Sequence, residues 1–230
     1  MAETNTRTTL NGRYEITKPA DIPTAEQFRE HLASEYGLNG QSPRERVERL
    51  KDLSVEGIAI LLEDINKTVQ GSEESLMSHD KSVNIVGPDG AVHQELLAPE
   101  NRYDVFRRMV EDIKSSPDDI NPTRVGDVLA LGTVLLHPFH DGNGRTARVI
   151  GMLFREDYDD KDFSQTYDAV IEPRDVARAR GGYIIYGYTP RLPEGFDYTN
   201  PEAVSAYLHR QLTDDEDGSY IGCFGPAPLH

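Results

Sequence analysis

Apolar residues recur at intervals of three and four along most of this chain, the mark of helices with one buried side. The clearest case begins at Ser54. Ile58, Leu61, Leu62, Ile65 and Val69 make a single stripe that stops at Gly71, while Glu63, Asp64 and Lys67 fall toward solvent. Two earlier helices are announced by their caps. Thr24 with Gln27 three residues on has the reciprocal capping pattern and predicts a helix ending near Gly37. Ser42, Pro43 and Glu45 repeat that signal, with Val47 and Leu50 at helical spacing behind them.

Between Lys81 and Gln94 the period changes. Val83 and Ile85 alternate, Gly87-Pro88-Asp89-Gly90 supplies a chain reversal, and Ala91, Val92 and His93 follow, which predicts a short β-hairpin. Helical spacing resumes after Pro99 with Tyr103, Phe106, Val110 and Ile113, and Asn121-Pro122 caps an apolar helix running to Leu136. Arg145 to Phe154 reads as a helix, 157–162 as a solvated acidic loop, and 174–180 as a further helix. Asn200-Pro201 caps a last helix that carries Val204, Tyr207, Leu208 and Leu212. Residues 1–22, with Pro19 and the following Pro23 as breakers, read as an arm, and 214–230 as a tail. No repeat or linker divides the region between, so the expected fold class is all-α, a helical bundle with one short β-hairpin.

Composition narrows the function. A chain of 230 residues can bury a core, and 24 Lys plus Arg against 40 Asp plus Glu leave a formal charge of −16. Such a surface repels phosphate backbones, so nucleic acid is not an expected partner. The single Cys223 cannot form an internal disulfide, which points to a reducing compartment. No run approaches the roughly 20 apolar residues of a membrane span. The N-terminus lacks the basic-then-apolar pattern of a secretory signal, and the expectation is a soluble cytoplasmic protein without a membrane partner. An effector exported by a dedicated machine has the same appearance.

The chemistry is concentrated in His137-Pro138-Phe139-His140-Asp141-Gly142-Asn143-Gly144-Arg145-Thr146-Ala147-Arg148, between two apolar helical segments. Gly142 and Gly144 let the backbone approach a ligand closely, and the N–H groups that open the following helix attract phosphate. Arg145 and Arg148, three apart, project from one side of that helix. Asp141 offers a hard oxygen of the kind magnesium takes when it bridges phosphate oxygens. His137 ends the preceding helix because Pro138 disfavours helical backbone before it, and an imidazole there suits removal of a proton from an attacking hydroxyl.

His-Pro-Phe-x-Asp-Gly-Asn-Gly-Arg-x-x-Arg resembles the signature of the Fic (filamentation induced by cAMP) family, and all nine fixed positions match between His137 and Arg148. The resemblance implies a Fic-type helical bundle over 23–213 with flanking helices, and a protein adenylyltransferase that moves AMP from ATP onto a Ser, Thr or Tyr hydroxyl of another protein. It further implies His137 as general base, Asp141 as the Mg2+ ligand, and Asn143 with the Gly142 and Gly144 backbone as the phosphate nest. Arg145 and Arg148 would hold the outer phosphates, with Phe139 packed beneath. The hairpin looks like the family's flap, whose edge at Val83, Asn84 and Ile85 would align an extended segment of the target by strand addition. Members resembling phosphotransferases carry Lys at the second glycine. Gly144 therefore favours AMP transfer.

Blander readings stand beside these. His137 alone is an ordinary helix-end histidine, and only the residues around it turn it into a base. His137, His140 and Asp141 could be taken as a metal cluster, but no further ligand lies at helical spacing, which disfavours zinc. Many family members carry a self-inhibiting helix in which a glutamate captures the last motif arginine. Here Glu56-Gly57 has Asp52 where a hydroxyl belongs, and Glu194-Gly195 has Thr189 one residue too far away. Glu56 reads equally as an acid complementing a helix dipole. Tyr183, Tyr186 and Tyr188 fit core or lid packing, adenine stacking or self-modification. The competing functions are a nucleotide-binding regulator held off by a partner, and removal of AMP by the same site. An inhibitory partner or a homo-oligomer is compatible with the pattern.

Overall fold

The computed structural model describes residues 23–38, 42–70, 84–86, 92–140, 142–156, 160–171 and 193–213, and within them the chain is mostly helical. The arm over 1–22, the tail over 214–230, the helix read over 174–180 and the hairpin turn at 87–90 lie outside the described residues. The order is α1 (Ala25–Tyr36), α2 (Pro43–Asp52), α3 (Val55–Gln70), β1 (Asn84–Val86), β2 (Val92–Glu95), α4 (Pro99–Ser115), α5 (Pro122–Leu136), α6 (Asn143–Leu153), α7 (Asp160–Ile171) and α8 (Pro201–Thr213).

The helices start where their caps say. Thr24 Oγ1 accepts from the Gln27 N–H at 3.2 Å and Gln27 Oε1 accepts from the Thr24 N–H at 2.9 Å, and Ser42 with Glu45 does the same. α1 ends on Gly37 at φ 67, a left-handed turn that glycine adopts without strain. β1 and β2 pair antiparallel, Asn84 opposite Glu95 and Val86 opposite Val92, with one extra residue in β2 between those positions.

α5 lies at the centre. Its residues from Val125 to Thr133 are buried without a break, as expected of a helix enclosed on all sides. α6, α4, α8 and α2 pack around it, α3 packs on α6 and α4, and α1 packs on α7. The α5–α6 crossing is close because of Gly126: a Cβ there would sit 2.8 Å from the Gly151 carbonyl oxygen and 3.0 Å from Phe154 Cβ.

Two lysines tie α2 to α4 by exchanging helix ends. Lys51, in the last turn of α2, donates to the Ser116 and Pro117 carbonyls after α4, at 2.6 and 3.1 Å. Lys114, in the last turn of α4, donates to the carbonyls of Lys51 and, at 2.6 Å, Leu53. Each cation thereby satisfies carbonyls that the other helix leaves without an intrahelical partner. Arg46 acts likewise on the end of α6, with Nε donating to the Leu153 carbonyl at 2.5 Å.

Three local expectations need correction. Residues 160–162 open α7 instead of belonging to an acidic loop, because Phe163, Tyr167 and Val170 form a buried stripe behind them. Acids at a helix start also favour the helix. Tyr167 stacks against Phe28 and Phe163, with centroids at 5.2 and 6.1 Å, and its hydroxyl donates to the Pro23 carbonyl at 3.0 Å. Tyr103 is 42% exposed, because Arg102 beside it takes the inward position, fully buried, with Nε on the Leu97 carbonyl at 3.1 Å. Asp64 is half-buried between α3 and α1, where it accepts a hydrogen bond from the Tyr36 hydroxyl and has His31 Nε2 at 3.4 Å.

Candidate active site

α5 stops at His137. Pro138 cannot continue the helix, and His137 takes φ 48 and ψ 57 as its N–H donates to the Thr133 carbonyl at 3.2 Å. Among the described residues it is the only non-glycine at positive φ. That backbone costs on the order of 1–3 kcal/mol and persists where surrounding structure imposes it. Pro138 leads away from α5, and Phe139 is fully buried as an anchor for the turn.

From there the chain doubles back. The side-chain amide of Asn143 accepts the Phe139 N–H at 3.0 Å and donates to the Phe139 carbonyl at 2.7 Å, deep in the protein. Gly142, at φ 80, is the N-cap of α6 and, as a glycine, has no side chain of its own to cap it. The helix ladder begins with the Thr146 N–H on the Gly142 carbonyl at 2.8 Å. The N–H groups of Asn143, Gly144 and Arg145 precede it, at the positive end of the helix dipole.

The first turn of α6 is also held from α3. Arg145 Nη1 donates to the Val69 carbonyl at 2.8 Å, and Asn66 Nδ2 donates to Thr146 Oγ1 at 3.1 Å, with Asn66 and Thr146 both fully buried. Gly144 is exposed, and among the described residues a Cβ built there meets no atom within 4 Å. A helix start with an exposed glycine is the kind of place where phosphate binds in other proteins.

The turn closed by the Asn143 amide runs from Phe139 to Asn143 and includes Gly142; His137 ends α5 two residues before it, Gly144 and Arg145 lie in the first turn of α6, and half-buried Arg148 lies on the next. Asn143 contributes the frame of that turn through its side chain. Asp141 and Val83 lie outside the described residues, Asn84 and Ile85 lie on β1, and His140 is exposed. Of the inhibitory near misses, Glu56 sits in the first turn of α3. Its own backbone N–H, then Ser54, then Tyr103 hold its carboxyl below the usual range, and the Tyr103 hydroxyl lies 3.3 Å away. Glu194 is on an exposed loop, and Thr189, Tyr183, Tyr186 and Tyr188 lie outside the described residues.

Sequence reading missed Asn66 and Gly126. Asn66 falls four residues after Leu62 and three before Val69, in the inward row of α3, and a polar residue in such a row was the available signal. Gly126, inside an apolar helix, carried a similar signal of close approach.

Residues 58–155, from the second turn of α3 to just past α6, match the model of the Fic/DOC family. The match supports a Fic domain over those residues, and α1, α2, α7 and α8 lie outside the matched stretch. Searches of curated proteins and of solved structures returned no match. No described helix is long and apolar enough to cross a membrane.

Proposed function

We propose that this chain is a protein adenylyltransferase that transfers AMP from ATP to a Ser, Thr or Tyr hydroxyl of a target protein. The observation that carries the reading is the turn locked by Asn143 on Phe139, which joins the histidine ending α5 to the start of α6, where Gly144 is exposed. The match of residues 58–155 to the Fic/DOC family model agrees with it.

His137 takes the proton of the target hydroxyl as that oxygen bonds to the α-phosphorus. The bond between the α-phosphorus and the α–β bridging oxygen breaks, and pyrophosphate leaves with the electron pair. The N–H groups at the start of α6 and the Gly142 backbone face the phosphates, so their charge is met by donors fixed before the reaction begins. Arg145 and Arg148 hold the outer phosphates. Use of one Arg145 nitrogen on Val69 is compatible with this, because a guanidinium carries five donors. Asp141 would hold Mg2+, which would offset phosphate charge. β1 has only β2 as a strand neighbour among the described residues, and its outer edge at Asn84 and Ile85, with the preceding Val83 outside the described residues, receives the target segment as an added strand.

ATP labelled at the α-phosphate tests the reaction. Label enters protein with the wild-type chain and not with His137→Ala, while circular dichroism shows the variant folded. Incorporation from γ-labelled ATP instead identifies a kinase-like reaction and overturns the proposal.

A further inference from the structure

We infer that Asn66 is a positioning residue for the phosphate end of α6, a role that rests on the nucleotide reading above. Asn66 is fully buried on α3 beside Ile65, in the row that also carries Leu62 and Val69. An amide in an apolar row costs stability unless it is hydrogen-bonded, and a leucine would fill the same row without that cost. Its partner is Thr146 Oγ1 at 3.1 Å, on the residue whose N–H closes the first helical bond of α6.

The contact has company. Three residues along α3, the Val69 carbonyl takes Arg145 Nη1 at 2.8 Å. Two consecutive residues of α6 are therefore gripped by two positions on one face of α3, while Asn143 is fixed to Phe139. Gly144, between them, is the exposed member of the turn. The geometry gives a helix start held on both sides of an exposed glycine. Donors aimed at developing charge act best when they need not reorganise, so loosening Asn66 from Thr146 weakens transition-state stabilisation without removing any group that meets the nucleotide.

The test uses Thr146→Val, which keeps the shape and removes the oxygen, and Thr146→Ser, which restores it. Asn66→Ala breaks the same contact from the other side. Amide hydrogen exchange of the full chain without nucleotide reads the clamp, and kcat and KM for ATP in the α-label assay read its consequence. Thr146→Val and Asn66→Ala are expected to speed exchange in the first turns of α6 and to lower kcat, each about tenfold, with the amides of α5 unchanged. Thr146→Ser stays within about threefold of wild type in both. A wild type that transfers label while Thr146→Val matches it in exchange and in turnover per folded molecule overturns the role of Asn66 alone. A wild type that transfers no label overturns the nucleotide reading and this role with it.

Discussion

The side-chain amide of Asn143 engages both backbone groups of Phe139, accepting its N–H at 3.0 Å and donating to its carbonyl at 2.7 Å. One side chain thus replaces the peptide partner that a turn this tight cannot supply. Because Phe139 is fully buried, water cannot substitute at no cost. Asn143→Ala should destabilise the protein by on the order of 3 kcal/mol in urea unfolding. Asn143→Asp should not rescue it, since a carboxylate cannot donate to the carbonyl. A loss below about 0.5 kcal/mol for the alanine variant, the range of ordinary surface changes, would contradict the frame assigned here.

The exchange of helix ends between Lys51 and Lys114 makes its own forecast. Lys114 donates to the carbonyls of Lys51 and Leu53, and both groups are partly buried. Lys114→Met keeps much of the stem and removes the charge, and should lower stability by about 1 kcal/mol. Thermal unfolding checks this. An unchanged midpoint would mean that the carbonyls are as well satisfied by water.

Two glycines should respond in opposite ways. At Gly126 an added methyl meets the Gly151 carbonyl oxygen at 2.8 Å, and Gly126→Ala should cost about 1–3 kcal/mol as α5 and α6 are forced apart. At Gly144 it meets no described residue, and the position is helical, so Gly144→Ala should gain up to about 1 kcal/mol. If phosphate approaches there, the same methyl lowers transfer activity. A variant at Gly144 both more stable and fully active would place the ligand elsewhere.

How much of this was legible from the residues follows from the range of the interactions. Thr24, Ser42, Asn121 and Asn200 bond to N–H groups two or three residues away, so sequence spacing alone locates those helix starts. The motif from His137 to Gly144 is similarly local, and its amide lock spans four residues. What could not be read is what crosses the bundle. Arg145 reaches Val69, Asn66 reaches Thr146, and Tyr36 reaches Asp64, each pair separated by 28 to 80 positions. α7 was overlooked because its acidic opening resembles a solvated loop until Phe163, Tyr167 and Val170 are seen to share one face.

An alkaline limit also follows. Burial first, then the hydrogen bond to Asp64, pushes the Tyr36 hydroxyl well above its usual 10.0, and burial followed by the charge of Asp168 does so for Tyr167. The unfolded chain releases these protons near pH 10, whereas the folded chain keeps them, so the folded state binds more protons there. Their contribution is intact below that pH and is lost as the solution becomes more alkaline. Urea midpoints should fall between about pH 9.5 and 11.5, and the Tyr36→Phe, Tyr167→Phe double variant should show a shallower fall. Identical slopes would remove both tyrosines from the explanation.

The central claim is that ATP phosphates sit on the start of α6 beside His137. An ATP titration with Mg2+, followed through the backbone amide resonances of the full chain, tests it most directly. The account predicts that the largest shifts fall on Gly142, Asn143, Gly144 and Arg145, with His137 among the next most affected. Shifts centred elsewhere, with those five residues unmoved at saturation, would contradict it.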